Sequence, residues 1–358
     1  MSNLKYSVGI DVSKKDFHCC LSVIDTQQAV KVKASHRFSN SSVGFRLFFE
    51  WIKRGSKEEL PVFCVMEATG VYHEQLAWFI HGKELPVSIL LPNKAKKYLQ
   101  ANGAKSKNDK IDARGLAQIG AEKRLELWVP PSRYLYDLRC CTRQHQSLNE
   151  THTAINNQLE AIRHSQFQNR EIIKQLEKTL KLLQSQIVEM EKAIDKIIKS
   201  DKVLNSHYKN ITAIKGLGLL CFGVIVAETN GFTLFKDAAS LISYAGYDVV
   251  ENQSGSHVGR TKISKKGNSR IRRILHMPAL CAVREDQPQF RDLFERVYKR
   301  TGIKMKGYVA VQKKLLVMAY HLWKNKQAYN PLFNCQEKII APENSGATHD
   351  KVPQGSFH

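Results

Sequence analysis

Residues 6–25, YSVGIDVSKKDFHCCLSVID, place two runs of β-branched, aromatic and sulfur-bearing side chains on either side of a polar turn. Tyr6 to Ile10 and Cys19 to Ile24 read as strands joined by Asp11-Val12-Ser13-Lys14-Lys15-Asp16, and Ala29 to Ala34 follows as a third. Three successive strands with so short a first connection predict a meander. The period then changes. Val43 to Lys53 has helical spacing, Pro61 to Met66 reads as a buried strand, Tyr72 to His81 as a helix, and Val87 to Leu91 as a strand closed by Pro92. Asp112 to Lys123 adds a helical pattern before the breaker Trp128-Val129-Pro130-Pro131. Strands first, then strand and helix in alternation, predict an α/β domain over residues 1–130: a mixed sheet with flanking helices.

Downstream the character is different. From Tyr134 to Ser200 neither Gly nor Pro interrupts the chain, and Ile173, Leu176, Leu180, Leu183, Ile187, Met190, Ile194 and Ile197 recur in alternating steps of three and four. That spacing predicts coiled-coil helices over residues 131–205. A looser series upstream (Leu148, Ile155, Leu159, Ile162) lets the helix break near His164 to Asn169 and fold back, so the seam pairs within the chain or between protomers; some contact between protomers is expected. Residues 206–336 read as a mostly helical domain. In it Ile211 to Ala227 carries a Gly216-Leu217-Gly218 turn between apolar helical segments, which suits tight helix packing or backbone N–H groups aimed at a DNA phosphate. Asp237 to Ala245, Phe290 to Tyr298 and Gly307 to Trp323 read as helices, Gly246 to Lys266 as a polar loop, and residues 337–358 as a disordered tail.

The 358 residues suffice for more than one core. Hydrophobic residues make up 42% and charged residues 25%, a globular balance, yet 55 Lys and Arg stand against 33 Asp and Glu, for a net charge of +22. Such an excess calls for a polyanion, nucleic acid before a membrane surface. No stretch of about 18 apolar residues and no signal-peptide pattern is found, so a cytoplasmic protein without membrane partners is expected. The eight cysteines (Cys19, Cys20, Cys64, Cys140, Cys141, Cys221, Cys281, Cys335) form no CxxC, and reduced thiols are expected rather than a zinc site or disulfides.

Four carboxylates stand in suggestive places. Asp11 follows the first strand, Glu67 ends the apolar run VFCVME, and Asp109 and Asp112 lie three apart at a helix start in KNDKIDARG. Acids at strand ends converge on one sheet edge, and an i, i+3 pair faces one way from a helix. Oxygen ligands of this kind suit Mg²⁺, which shares them with substrate phosphate, and two such ions can clamp a scissile phosphodiester. Each acid also has an ordinary use: Asp11 as a turn residue, Glu67 as a cap for the next helix, Asp109 as an N-cap. In so basic a chain, with this order of strands, the four together favour chemistry. No GxxxxGK[ST] phosphate loop is present.

The segments GIDVSKKD, MEATGVYHE, NDKIDARGLA, IKGLG, SLISYAGYDV, SGSHVGRTKISKKGNSRIRRIL and MPAL, in that order between about Tyr6 and Trp323, resemble the insertion-sequence transposases. Those proteins carry an N-terminal DEDD motif on a RuvC-like, ribonuclease-H-type fold and a C-terminal transposase domain; the family is similar to site-specific DNA invertases and includes bridge-RNA-guided recombinases. The resemblance implies that the DEDD acids are Asp11, Glu67, Asp109 and Asp112, binding Mg²⁺, and that the nucleophilic serine is Ser254, with Ser256 as the alternative. It further implies DNA strand exchange and, in at least some members, a guide RNA. Arg260, Lys262, Lys265 and Lys266 are then expected to hold flanking phosphates, and Arg270, Arg272 and Arg273, on the helix after Gly267, to meet nucleic-acid backbone. A serine attacking a phosphodiester conserves the bond energy in a phosphoserine, so no ATP is required. The acids and the serine lie far apart along the chain, and a dimer or tetramer would let one protomer's acids meet another's serine.

Two other readings remain open at this point. In a metal-dependent junction-resolving nuclease the acids activate water and the serine is incidental. In a non-catalytic nucleic-acid-binding protein four carboxylates near phosphates would only repel.

Overall fold

The computed structural model describes residues 2–56, 59–68, 70–102, 108–251, 253–254, 257–259, 261–284 and 287–331. Ser256, Arg260 and the tail from residue 337 lie outside the described residues. Contacts divide the chain into two compact units, Met1–Pro130 and Pro131–His358.

In the N-terminal unit β1 (Asn3–Val12), β2 (Asp16–Asp25) and β3 (Val30–Ser39) precede α1 (Ser42–Gly55). Then come β4 (Val62–Glu67), α2 (Glu74–Gly82), β5 (Val87–Leu90), α3 (Pro92–Ala101) and α4 (Asp109–Glu122). The sheet order is β3-β2-β1-β4-β5, with β1, β2 and β3 antiparallel and β4 and β5 parallel to β1. This is the mixed sheet that the run of strands predicted. The first turn is closed by the Ser13 amide donating to the Asp16 carbonyl and the Ser13 hydroxyl donating to the Asp16 carboxylate.

Central β1 is buried on both faces, which explains its unbroken apolar and small residues. Tyr6, Val8 and Ile10 pack with Phe17 of β2, Phe45 and Phe48 of α1, and Leu76 and Ile80 of α2. On the opposite face Val65 and Leu90 pack with Ala95, Leu116 and Ile119 of α3 and α4, and Cys20 with Ala113 and Ala117. Gly9 allows α4 this close: a Cβ there would run into the Ala113 carbonyl oxygen and the Ala117 amide nitrogen. One difference from expectation is α3. Pro92 does not merely close a strand but opens a helix at its first position, where a missing N–H costs nothing.

The C-terminal unit begins with α5 (Arg133–Arg163) and α6 (Arg170–Ser200). The break at residues 164–169 is where the sequence placed it, and the two helices form an antiparallel hairpin: Arg163 pairs with Glu177, His145 with Glu191, and Leu148 packs with Leu183 and Ile187. The apolar seam therefore pairs within the chain. Next come α7 (Lys202–Thr212), α8 (Leu219–Glu228) and α9 (Ala238–Ala245), then α10 (Ser269–Ile274), α11 (His276–Arg284), α12 (Pro288–Thr301) and α13 (Lys304–Asn325). Leu138 of α5 and Ile194 and Ile198 of α6 share one core with Phe222 and Val226 of α8, Leu241 of α9, and Leu315 and Leu316 of α13. The base of the hairpin is thus part of the C-terminal core.

Between α9 and α10 the expected polar loop is instead an antiparallel arm. β6 (Val249–Val250) pairs with β9 (Lys262–Ile263), and β7 (Gln253–Ser254) with β8 (His257–Val258). Among the described residues no helix is long and apolar enough to cross a membrane.

Candidate functional site

The parallel register of β1 and β4 sets Ile10 beside Met66, so Asp11 and Glu67 follow on neighbouring strands at the same edge of the sheet. Residues two apart share a face. Gly9 lies under α4, and a Cβ on Gly120 of α4 would strike Val65, so Asp11 and Glu67 stand on the α4 side of the sheet. Asp109 and Asp112 occupy the first turn of α4, over that same side. Across the β1–β2 pair Asp11 is opposite His18, whose Nδ1 stands 3.5 Å from Asp109 Oδ2. The helix start and the two strand ends thus belong to one neighbourhood.

Asp11, Glu67 and Asp109 do not take the turn and capping uses open to them in the sequence. Asp11 is paired within β1 rather than in the turn. Asn108, not Asp109, caps α4 by accepting the Ile111 amide hydrogen, and α2 starts at His73 with no side-chain cap. Carboxylates in the first turn of α4 are also favoured by the positive end of the helix dipole. Among the described residues no three His, Cys, Asp or Glu side chains gather closely enough to hold a metal ion. The backbone brings the four acids to one edge without drawing their carboxylates into one cluster. An all-carboxylate set at that edge nonetheless fits a hard divalent cation in donor type.

Ser254 is exposed, in the rung of the arm farthest from its base, where it pairs in register with His257. The arm is fastened at its base. The Asn268 amide donates to the Tyr244 carbonyl, Lys265 to Gly246 and Ser264 to Asp248, continuing the pairing of Val249 with Ile263 and Val250 with Lys262. Gly267 (φ +153°) and Gly246 (φ +75°) are needed there, since a Cβ on Gly267 would collide with the Tyr244 carbonyl and one on Gly246 would sit 2.7 Å from Arg272. Lys262, Lys265 and Lys266 are exposed along the returning side of the arm.

The three arginines of α10 do not form a single free face. Arg272 donates from Nη1 to the Ala245 carbonyl at 2.7 Å, locking the end of α9 to α10. Arg273 pairs with Glu150 of α5, and Arg270 Nε lies 4.0 Å from Glu228 Oε1. Glu228 is the polar residue that reading the sequence missed. It ends α8 (LLCFGVIVAE), is 3% exposed, and accepts from Arg143 Nε at 2.8 Å and Nη2 at 3.0 Å and from Asn268 Nδ2 at 2.8 Å. Its one signal in the sequence is an acid closing a wholly apolar helix. Burial pushes its carboxyl up, but the hydrogen bonds and charge of Arg143, with Asn268 and Arg270, outweigh burial and hold it below the ordinary value of 4.5. Nearby, a cavity of about 690 Å³ is lined by residues of α5, α8, α10 and α11, among them apolar Leu219, Leu220 and Met277 and polar His145, Arg270 and Arg273.

Comparison with known proteins extends over both units. Residues 8–167 match a DEDD-type family described as Transposase, and residues 208–295 match the Transposase IS116/IS110/IS902 family. The chain is 24% identical over 327 residues to the pilin gene-inverting protein of Moraxella bovis, covering 91% of this chain and 98% of that one, and equally to its counterpart in Moraxella lacunata. Among solved structures, Thermus thermophilus RuvC aligns with 34% of this chain and 99% of its own at 10% identity and a TM-score of 0.27.

Proposed function

The chain belongs to the IS116/IS110/IS902 transposases and is a DNA recombinase, and we propose that it cleaves and rejoins DNA of a mobile element through Ser254 and the acids Asp11, Glu67, Asp109 and Asp112. The observation that carries this reading is the placement of two strand ends and one helix start, all bearing carboxylates, on one edge of the five-stranded mixed sheet.

In this reaction Ser254 Oγ attacks a backbone phosphorus. The new Oγ–P bond replaces the bond from phosphorus to a 3′ oxygen, and the hydroxyl proton ends on the departing oxygen, which leaves as a 3′-hydroxyl. A second 3′-hydroxyl reverses the step on a new partner strand and frees Ser254. A divalent cation, Mg²⁺ by its preference for oxygen ligands, would be held by the four acids and would offset the phosphate charge and ease loss of the hydroxyl proton. Exposed Lys262, Lys265 and Lys266 lie on the segment that returns from the arm, Lys262 in β9 and the other two just after it, and with Arg260 they bind phosphates flanking the cut. Arg270 and Arg273 contact backbone further along, whereas Arg272 acts through the Ala245 carbonyl by holding α10. A bridge-type guide RNA selects target and donor, and a homo-dimer or tetramer shares acids and serine between protomers.

The test is incubation of wild-type protein and of Ser254→Ala with labelled element-end DNA, Mg²⁺ and co-expressed RNA, read on denaturing gels. A covalent protein–DNA adduct in the wild type that is lost in Ser254→Ala and in Asp11→Ala is expected. Cleavage without an adduct, indifferent to Ser254, would overturn the serine mechanism in favour of water attack by a metal-dependent nuclease.

A further inference from the structure

A buried carboxylate in an active DNA-handling unit needs a reason, because an acid near phosphates repels them. Glu228 supplies one through what it holds. Arg143 of α5 grips it with a planar fork of two hydrogen bonds, an arrangement that fixes the guanidinium in direction as well as distance. Asn268 links the same carboxylate to α10: its Nδ2 donates to Glu228, and its Oδ1 accepts from the Arg270 and Ile271 amides at the helix start. Arg270 completes the group, its Nε buried, 4.0 Å from Glu228 Oε1 and without a hydrogen bond.

Two guanidiniums share one carboxylate, so the group keeps a positive charge. Arg143 is 45% exposed and Arg270 41%, whereas the acid between them is 3% exposed. The fork on Glu228 uses Arg143 Nε and Nη2, leaving Nη1 outside that pair. Satisfying a buried carboxylate requires one strong partner, and the Arg143 fork is enough. A second arginine at the same acid has a use if the pair faces an anion.

The position matters as much as the charge. Asn268 is the residue whose amide fastens the base of the Ser254 arm to the Tyr244 carbonyl, and the Tyr244 hydroxyl donates to the Glu228 carbonyl at 2.9 Å. One cluster therefore sets the arginines and the root of the arm together. We propose that Glu228 is a positioning residue whose carboxylate holds Arg143 and Arg270 as a seat for one DNA phosphate at the base of the Ser254 arm, registering the duplex against that arm. This rests on the reading that the C-terminal unit acts on DNA, and adds to it two residues, Glu228 and Arg143, that it did not include.

The test is affinity of the full-length protein for a labelled duplex of arbitrary sequence, by fluorescence anisotropy over a series of NaCl concentrations. If Glu228 acted only through its charge, Glu228→Gln would remove a negative group and tighten binding. The proposal requires the opposite sign: binding weaker by on the order of tenfold, with the slope of log affinity against log salt shallower by about 0.9 for the lost phosphate contact. Arg143→Lys and Arg270→Lys keep the charge at half-exposed positions and are expected to weaken binding, the first because an ammonium cannot keep the fork on Glu228, the second because an ammonium lacks the planar spread of donors that a guanidinium offers a phosphate. These two carry the test if Glu228→Gln folds poorly. Unchanged or tighter binding in the folded variants, with an unchanged salt slope, would overturn the proposal. Failure of the serine mechanism would show separately, as the absence of an adduct in the wild type, without touching these affinities.

Discussion

Gly9 in the central strand lies directly against the backbone of Ala113 in α4, with no room for a side chain between them. This contact sets the first turn of α4, with Asp109 and Asp112, over the strand end that bears Asp11. Gly9→Ala should therefore act at a distance of two residues. The obstructing atoms are backbone, which no rotamer change can move, so a loss of about 2–3 kcal/mol is expected. Urea denaturation measures it, and the DNA adduct should decline along with stability. A neutral substitution would mean that α4 is free to lift.

Glu67→Gln changes a partly exposed strand-end residue and keeps its size. Unfolding should barely shift, while strand transfer falls about a hundredfold or more, the scale on which one well-placed electrostatic group acts. Chelation of divalent ions with EDTA should abolish adduct formation in the wild type, and added Mg²⁺ should restore it. Activity that survives both treatments would remove the acids from the chemistry.

Gly267→Ala tests the root of the arm. At φ +153° and against the Tyr244 carbonyl, an alanine both strains the backbone and collides. The core of the C-terminal unit does not include this residue. The expected result is a modest loss of thermal stability, about 1–3 kcal/mol, accompanied by a much larger loss of the Ser254 adduct. Equal losses of both would make the arm a mere part of the fold.

Acid should weaken the C-terminal unit in a defined window. The Glu228 carboxyl is held below its ordinary 4.5 in the folded chain, so its contribution is complete above the unfolded value and disappears as pH falls through the folded one. At neutral pH Glu228→Gln is expected to cost about 2 kcal/mol, limited by the half-exposure of Arg143. Thermal unfolding of both proteins from about pH 6 to about pH 3 should show the gap between them closing below about pH 4.5. A gap that stays constant would mean that Glu228 is not ionised in the fold.

Local patterns were legible where the physics is local. The two β-rich runs of residues 6–24 about a polar turn, the helical period of Val43 to Lys53, and the break at residues 164–169 each follow from composition, period and turn chemistry within a few residues. Pro92 misled because the same residue stops a strand and starts a helix. The arm around Ser254 was read as loop because its strands are two residues long and polar, too short to show a period, and its pairing depends on Gly246 and Gly267 meeting Tyr244. Arg270, Arg272 and Arg273 looked alike in sequence and proved different, each taking a separate partner on another helix.

The sequence by itself determined the mixed sheet, the long helices, the excess of positive charge and the identity of the acids at strand and helix ends, because side-chain period, composition and chain breaks are properties of neighbours along the chain. Only the tertiary structure decided that Asp11 and Glu67 share a sheet edge through the parallel pairing of β1 with β4, and that Arg143, Glu228 and Asn268 meet. Those contacts join residues far apart in sequence, and strand register and helix packing, which no local pattern encodes, bring them together.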